Sequence, residues 1–171
     1  MEKNYLIFDI GVDAKNKMEG LNPLYKRISF SGVKSKEFEK VMTHSSERKL
    51  LTDFWELTES KAYILAGFNV IRFDIPYLYI RSLINNVKVP NLKDRILDLR
   101  LILSNGNPNF KGKLDEYGAL MGFGLCTSGF SKSNFRLLWQ GYEIPELKER
   151  LLFDVRMTYA LFQRMKSVGL I

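Results

Sequence analysis

Three aspartates interrupt apolar stretches of the chain, and their side chains have the chemistry to bind metal ions. Asp9 ends one apolar segment, Asp74 follows another, and Asp154 lies inside a third. A carboxylate among apolar residues is costly to bury unless a cation or hydrogen bonds compensate its charge. Two divalent ions about 4 Å apart can activate water and stabilise the leaving oxygen of a phosphodiester. Each acid taken alone is better explained as a cap or a salt-bridge partner, whereas the three together favour a phosphodiester-cleaving site.

The rest of the composition limits which metal such a site could hold. The sequence has one histidine, His44, and one cysteine, Cys126. These numbers exclude an internal disulfide, a cysteine zinc cluster and a histidine-rich metal site, and they disfavour a Ser-His-Asp triad. Any metal would be held by carboxylates, which favours Mg²⁺ or Mn²⁺.

Length and charge indicate a single basic domain. The chain has 171 residues, 46% of them apolar, which predicts one globular domain over residues 1–171. Its net charge of +7 suits a polyanion such as nucleic acid, although ordinary solubility charge explains it equally well. No apolar run approaches the ~18 residues of a membrane span. The absence of a signal peptide predicts an intracellular protein.

Hydrophobic patterning predicts an α/β layered domain. Strands are predicted at residues 4–10, 27–33 and 62–67, with 37–42 as a candidate further strand. Helices are predicted at 46–58, capped by Ser45 or Ser46, and at 72–86, 114–121 and 145–167; segment 95–103 is either a short helix or a strand that runs into a helix. The last helix returns Asp154 to the first strand.

Five segments of the chain carry a family resemblance. They are 6–10 (LIFDI), 67–76 (GFNVIRFDIP), 97–99 (LDL), 114–116 (LDE) and 152–158 (LFDVRMT). Together they resemble the motifs of the DEDD (DnaQ-like) 3′–5′ exonucleases of the ribonuclease H-like superfamily, in particular the proofreading domain of family-B DNA polymerases. The resemblance spans nearly the whole chain, and its second motif is the most specific.

The resemblance implies a ribonuclease H-like fold, in which helices flank a central mixed β-sheet, and a role for each matching residue. Asp9, Asp74 and Asp154 would be ligands in a two-ion Mg²⁺ or Mn²⁺ site. Four residues would lie beside the substrate's 3′ end: Asn69 through hydrogen bonds, Phe73 through packing, and Gly11 and Val12 through their backbone. The implied substrate is single-stranded or frayed nucleic acid, DNA more than RNA, with its bases on aromatic side chains in an electropositive groove.

The first motif departs from the family pattern at Gly11, where the family has a glutamate. One of four expected metal ligands is therefore missing. Asp13 lies on the same face if the strand continues, but it is about 6–7 Å further along at ~3.3 Å per residue. A bend at Gly11 could bring Asp13 closer, and Glu19 is a second candidate for replacing the lost ligand.

The third motif departs from the pattern before Asp154. Many family members place a water-orienting tyrosine four residues earlier, where this chain has Arg150, which stays protonated and cannot act as a base. One helical turn from Asp154, Arg150 could pair with it and compete with a metal, or it could bind the scissile phosphate. Others place a histidine five residues earlier, where Glu149 stands. Its carboxylate is a candidate base for the attacking water, or else a solvated surface group.

Basic and aromatic residues alternate in the predicted loop region 104–136. They are Lys111, Lys113, Lys132 and Arg136, with Phe110, Phe130 and Phe135 between them. This pattern suits single-stranded nucleic acid, and it suits equally a solvated loop anchored by buried phenylalanines.

Three functions remain open. The first is a metal-dependent 3′–5′ exonuclease that acts on single-stranded 3′ ends. The second is a degenerate exonuclease fold that binds nucleic acid or a protein partner without cutting. The third is an endonuclease of the ribonuclease H or resolvase type on the same scaffold.

Overall fold

A five-stranded mixed sheet forms the centre of the computed structural model, which describes residues 3–13, 21–107, 109–110, 112–123 and 144–171. The strands are β1 (Tyr5–Val12), β2 (Ile28–Lys34), β3 (Glu39–Thr43), β4 (Ile64–Gly67) and β5 (Ile96–Asp98), arranged in the order β3-β2-β1-β4-β5. The β1–β2 and β2–β3 pairs are antiparallel, whereas β1–β4 and β4–β5 are parallel. The predicted strands are all present, and the candidate strand at 37–42 is β3, which begins two residues later than predicted.

Helices cover both faces of the sheet. They are α1 (Glu47–Ser60), α2 (Asp74–Ile84), α3 (Leu99–Leu103), α4 (Leu114–Leu120) and α5 (Ile144–Ser167). Ser46 caps α1, as one of the two predicted alternatives, because its hydroxyl accepts from the N–H of Lys49. Segment 95–103 is the predicted strand that runs into a helix. Within the described ranges, no helix is long and apolar enough to cross a membrane.

The alternation of β1 sorts its side chains between the two helical layers. Leu6 and Phe8 point into the core beneath α1 and α2, whereas Ile7 packs into the cluster formed with α5. Side chains two residues apart share a face, so Asp9 lies on the α5 side with Ile7. The even-numbered residues of β1 are therefore buried beneath α1 and α2, and Asp9 lies on the opposite face, towards the helix that carries Asp154.

Gly32 of β2 allows α5 to approach the sheet beside Asp9. Gly32 is the register partner of Asp9, and a Cβ atom there would lie 2.8 Å from Cγ of Leu151 and 3.1 Å from Cγ1 of Val155. The close fit sets the distance between α5 and the sheet beside Asp9.

Asp98 fixes the loop between β4 and α2. Its buried carboxylate accepts the N–H groups of Asn69 (2.9 Å) and Ile71 (3.0 Å). It also caps α3 by accepting from Arg100 and Leu101, at 3.0 and 3.2 Å. Because the loop is held by these bonds and Asn69 takes a φ of 67°, α2 begins at residue 74 instead of the predicted 72.

An ion pair ties the edge strand β3 to α5. The guanidinium of Arg156 donates through Nε (2.8 Å) and Nη2 to Oε1 of Glu39, and Lys34 donates to its Oε2 at 2.9 Å. The hydrogen bonds from Arg156, followed by that from Lys34, lower the pKa of Glu39 from 4.5 to about 2. The pair is partly exposed, so its contribution to stability is modest.

Replacing Asp98 with asparagine should destabilise the fold and loosen the loop. The amide keeps one acceptor oxygen but directs its NH₂ group at backbone donors, so we expect a loss of about 2 kcal/mol in the free energy of unfolding. Urea denaturation measures this loss. Asp94→Asn is the matched control, because Asp94 is exposed on the same approach to β5 and its φ of 58° suits asparagine. Equal stability of the two variants would contradict the role given to Asp98.

Replacing Glu39 with glutamine should lower stability in a pH-dependent way. The folded-state pKa is depressed, so the stabilisation is present above the unfolded value and is lost as pH falls from 4.5 towards about 2. We expect a loss of roughly 1 kcal/mol or less at pH 7 that becomes smaller as the pH falls below 4.5. Urea denaturation from pH 7 to pH 3 measures it, with the exposed Glu56→Gln as control. A pH-independent loss would exclude the charge as its cause.

Candidate active site

The carboxylates of Asp9 and Asp74 meet at one backbone N–H group. The amide of Ile10 donates to Oδ1 of Asp9 at 3.0 Å and to Oδ1 of Asp74 at 3.2 Å. Asp74 is buried, with 3% of its surface exposed, and it occupies the first turn of α2, where the helix dipole favours a negative charge. Two of the three predicted acids are therefore brought together, although they lie far apart in the sequence.

The end of β1 provides a backbone edge next to these acids. The parallel pairing of β1 with β4 ends at Ile7, whereas its antiparallel pairing with β2 continues to Val12. The register shifts between Gly11 and Val12, because Ser29 is an extra residue on β2 at that point. Gly11 and Val12 are both buried, and their predicted backbone contacts with a 3′ end stay a prediction.

Beyond the register shift, Asp13 continues alongside the residue that precedes β2. Its N–H donates to the carbonyl of Arg27 at 2.9 Å, and its Oδ2 lies 3.9 Å from Nε of Arg27. The predicted bend at Gly11 thus has a counterpart in the structure, but the extra residue belongs to the partner strand. Glu19, the second candidate for the missing ligand, lies outside the described residues.

Asp154 is held by Arg150, one turn earlier on α5. Arg150 donates from Nε to Oδ2 at 3.2 Å and from Nη2 to Oδ1 at 2.8 Å, so both carboxylate oxygens are engaged. Both residues are buried, with exposures of 5% and 3%. Nη2 of Arg150 also lies 3.1 Å from Oδ1 of Asp115, whose side chain is 44% exposed. Of the two predicted roles for Arg150, the structure shows the pairing with Asp154.

The surroundings keep Arg150 charged. Burial by itself lowers its pKa, but Asp154 and then Asp115 raise it by more, so that the pKa lies above its ordinary value. The guanidinium also lies 5.6 Å from the ring centroid of Phe153, within cation–π range. Arg150 is therefore a permanent positive charge inside the site.

Glu149 lies on the exposed face of α5. It contributes to the raised pKa of Arg156, which is on the same face, two turns further along. This placement favours a solvated surface group, and its role as a base stays a prediction.

Asn69 and Phe73 flank the start of α2. Oδ1 of Asn69 accepts from Nη1 of Arg100 at 3.0 Å, which leaves the amide NH₂ group to point elsewhere. Phe73 is half-buried, and its ring centroid lies 5.4 Å from that of Tyr77. A cleft of about 40 Å³ beside Asn69 is also lined by Arg72 and Arg100. The predicted contacts of Asn69 and Phe73 with a terminal nucleotide stay predictions.

Asp9 and Asp74 are the predicted acids that the structure brings together, so they are the described residues that could hold a divalent ion. Within the described part of the chain, no group of three His, Cys, Asp or Glu side chains is placed to hold an ion. Asp9 and Asp74 offer oxygen ligands from two side chains, a donor set that suits Mg²⁺ or Mn²⁺ completed by water. Asp154 is already neutralised by a guanidinium, and Gly11 supplies no carboxylate.

Three residues of the site had no side-chain role in the sequence interpretation: Asp98, Arg100 and Asp115. Asp98 and Asp115 were part of the matching segments 97–99 and 114–116, without a stated function. Asp98 carries the same signal as Asp9, an acid between apolar neighbours, so its burial was predictable from the sequence. Arg100 and Asp115 act through partners 31 and 35 residues away, a separation that no local pattern shows.

The predicted basic and aromatic loop falls largely outside the described residues. Phe110 and Lys113 are described, and both are exposed, so Phe110 is not a buried anchor. The members of the pattern without a described position are Lys111, Phe130, Lys132, Phe135 and Arg136. Cys126 also lies outside the described ranges.

Comparisons with known proteins agree with this architecture. Over 164 residues the chain is 30% identical to an uncharacterized protein of Methanocaldococcus jannaschii, covering 89% of this chain and 93% of the relative. Its fold matches the structure of the family B DNA polymerase from the hyperthermophilic archaeon Pyrobaculum calidifontis with a TM-score of 0.80 and 22% identity. That match covers 96% of this chain but 25% of the polymerase. The ribonuclease H-like α/β fold is confirmed.

A family model also matches most of the chain. It spans residues 22–169, and it describes a predicted 3′–5′ exonuclease related to the exonuclease domain of PolB. The match includes the second and third motifs and begins after Asp9. The chain therefore belongs to the family of predicted 3′–5′ exonucleases related to the exonuclease domain of family-B DNA polymerases.

Proposed function

We propose that this protein is a 3′–5′ exonuclease-type nuclease that removes nucleotides from single-stranded or frayed 3′ ends, of DNA rather than RNA. The observation that carries the proposal is the convergence of Asp9 and Asp74 on the amide of Ile10. The preference for DNA is supported by the structural similarity to a DNA polymerase. The net charge of +7 favours association with a polyanion.

Asp9 and Asp74 would hold Mg²⁺ or Mn²⁺ in this proposal. A divalent ion at this place supplies positive charge to the scissile phosphate and makes water a better nucleophile. The chain's own contribution is orientation: the amide of Ile10 fixes both carboxylates, and the first turn of α2 presents Asp74. Asp154 completes the predicted set of acids with its charge compensated by Arg150.

The nucleotide would lie between the end of β1 and the start of α2. The NH₂ group of Asn69 is free of the bond to Arg100 and is a donor for the terminal nucleotide. Phe73 presents an aromatic ring at the first turn of α2, where it can pack against a base or sugar. Arg150 contributes positive charge on the other side, from α5.

A second candidate function is a module that binds nucleic acid, or a protein, without cutting. Two observations favour it. Gly11 leaves the first motif without its second acid, and Arg150 occupies both oxygens of Asp154. In such a module the fold and the charge remain, while the rate of hydrolysis is lost.

The exonuclease proposal predicts Mn²⁺-dependent release of mononucleotides from a 3′-labelled single strand. Asp74→Ala should reduce the rate more than ~100-fold, since even the loss of residues that only orient metal ligands costs 10–100-fold. Asp53→Ala is the control, because Asp53 lies on α1 and pairs with Lys49. If wild-type protein releases nothing from any single-stranded substrate, the proposal fails; cleavage of a circular strand would instead indicate an endonuclease.

The binding module predicts a different pair of results. Fluorescence anisotropy with a labelled oligonucleotide should show binding that weakens with salt and is unchanged by EDTA, with no cleavage in the same samples. Binding that disappears with EDTA would contradict the module and support a metal-bridged contact with the substrate.

A further inference from the structure

We propose that the buried guanidinium of Arg150 is a resident cation that takes the place of one of two divalent ions, so that the site binds a single ion at Asp9 and Asp74. The inference deepens the proposed function and rests on it for the identity of the remaining site. Its starting point is the fork of Arg150 on Asp154, which engages both carboxylate oxygens in a buried position.

The charges of the site agree with one divalent ion. Asp9, Asp74 and Asp154 bring three negative charges, and Arg150 returns one positive charge. Two negative charges remain, which one divalent ion neutralises. Asp115 adds a further carboxylate, but its side chain is 44% exposed and water screens it.

The packing of α5 brings the two departures of this chain to one place. Phe30 is the register partner of Gly11 and packs against Leu147 and Leu151 of α5. Register partners of an antiparallel pair share a face, so position 11 faces the same part of α5. Arg150 directly precedes Leu151. Gly11 thus withholds a negative charge from the region where Arg150 adds a positive one. Both changes make the site less negative, and together they lower the charge that metal ions must neutralise from four negative units to two.

Release of Asp154 to a metal ion would take away the carboxylate that compensates the buried guanidinium of Arg150. Separating a buried pair leaves an uncompensated charge, which is strongly destabilising. Arg150 cannot lose its proton to lower that cost, because an arginine guanidinium stays protonated in proteins. The two hydrogen bonds to Asp154 therefore keep the guanidinium in place.

Counting bound Mn²⁺ by electron paramagnetic resonance tests the proposal without any need for turnover. Wild-type protein should bind one ion. Asp74→Asn should lower the affinity for that ion by about tenfold or more, as expected for a ligand. Asp154→Asn should change the same affinity by less than about threefold. Arg150→Gln should bind a second ion. Arg156→Gln is the matched control on the same helix, since Arg156 pairs with Glu39 at the sheet edge, and its ion count should equal that of wild type.

Thermal unfolding gives a second measurement, because Arg150→Gln leaves Asp154 buried without its fork. We expect this variant to melt lower than wild type in EDTA and to gain more than wild type from saturating Mn²⁺, since an ion that binds the folded state stabilises it. If it is unfolded in EDTA, Mn²⁺ should fold it. An Arg150→Gln protein that gains no ion and no stability from Mn²⁺ would overturn the proposal.

The possible failures are distinguishable. Two ions in wild type, with one lost in Asp154→Asn, would show that Asp154 is a ligand and would exclude the resident cation. No ion in wild type but one in Arg150→Gln would uphold the resident cation, while it removes the metal site that the proposed function places at Asp9 and Asp74.

Discussion

Four backbone N–H groups from two segments donate to the carboxylate of Asp98, and the geometry of the site follows from this contact. The contact fixes the loop from residue 68 to residue 73, and with it the first residue of α2. Asp74 can reach the amide of Ile10 only because α2 begins where it does. A buried acid without a catalytic role thereby positions one that has the chemistry for catalysis.

The acids of this domain solve one physical problem in three ways. A buried carboxylate needs compensation, because transfer from water costs several kcal/mol. Asp98 uses backbone donors, Asp154 uses a guanidinium, and Asp9 and Asp74 share a single amide. The first two solutions occupy both carboxylate oxygens. The third pair brings two carboxylates to one N–H group, and the proposed ion would bind there.

Sequence patterns predicted the layers of this fold well, because alternation along β1 and the apolar face of α1 reflect burial directly. They predicted the start of α2 less well, since residues 72 and 73 are helix-compatible and only the long-range bonds to Asp98 hold them outside the helix. For Arg150 the spacing of one turn allowed two roles; the structure shows the pairing with Asp154 and adds a contact with Asp115, 35 residues away, that no local pattern indicates. The metal ligands and the role of Glu149 stay predictions, because no pattern and no described contact decides them.

The charges of the acids and of Arg150 explain how this fold could lack one expected metal ligand and still hold the proposed ion. A glutamate at position 11 would face the part of α5 that carries Arg150, so either change alone would alter the charge of the site by a full unit. Together they leave a net charge of two negative units, which one divalent ion can neutralise. The packing of α5 on the sheet does not depend on the residues at positions 11 and 150, since Leu147, Leu151 and Val155 hold the helix there through apolar contacts. Within the proposed function, the charge of Arg150 is present without metal, whereas hydrolysis would need the ion at Asp9 and Asp74.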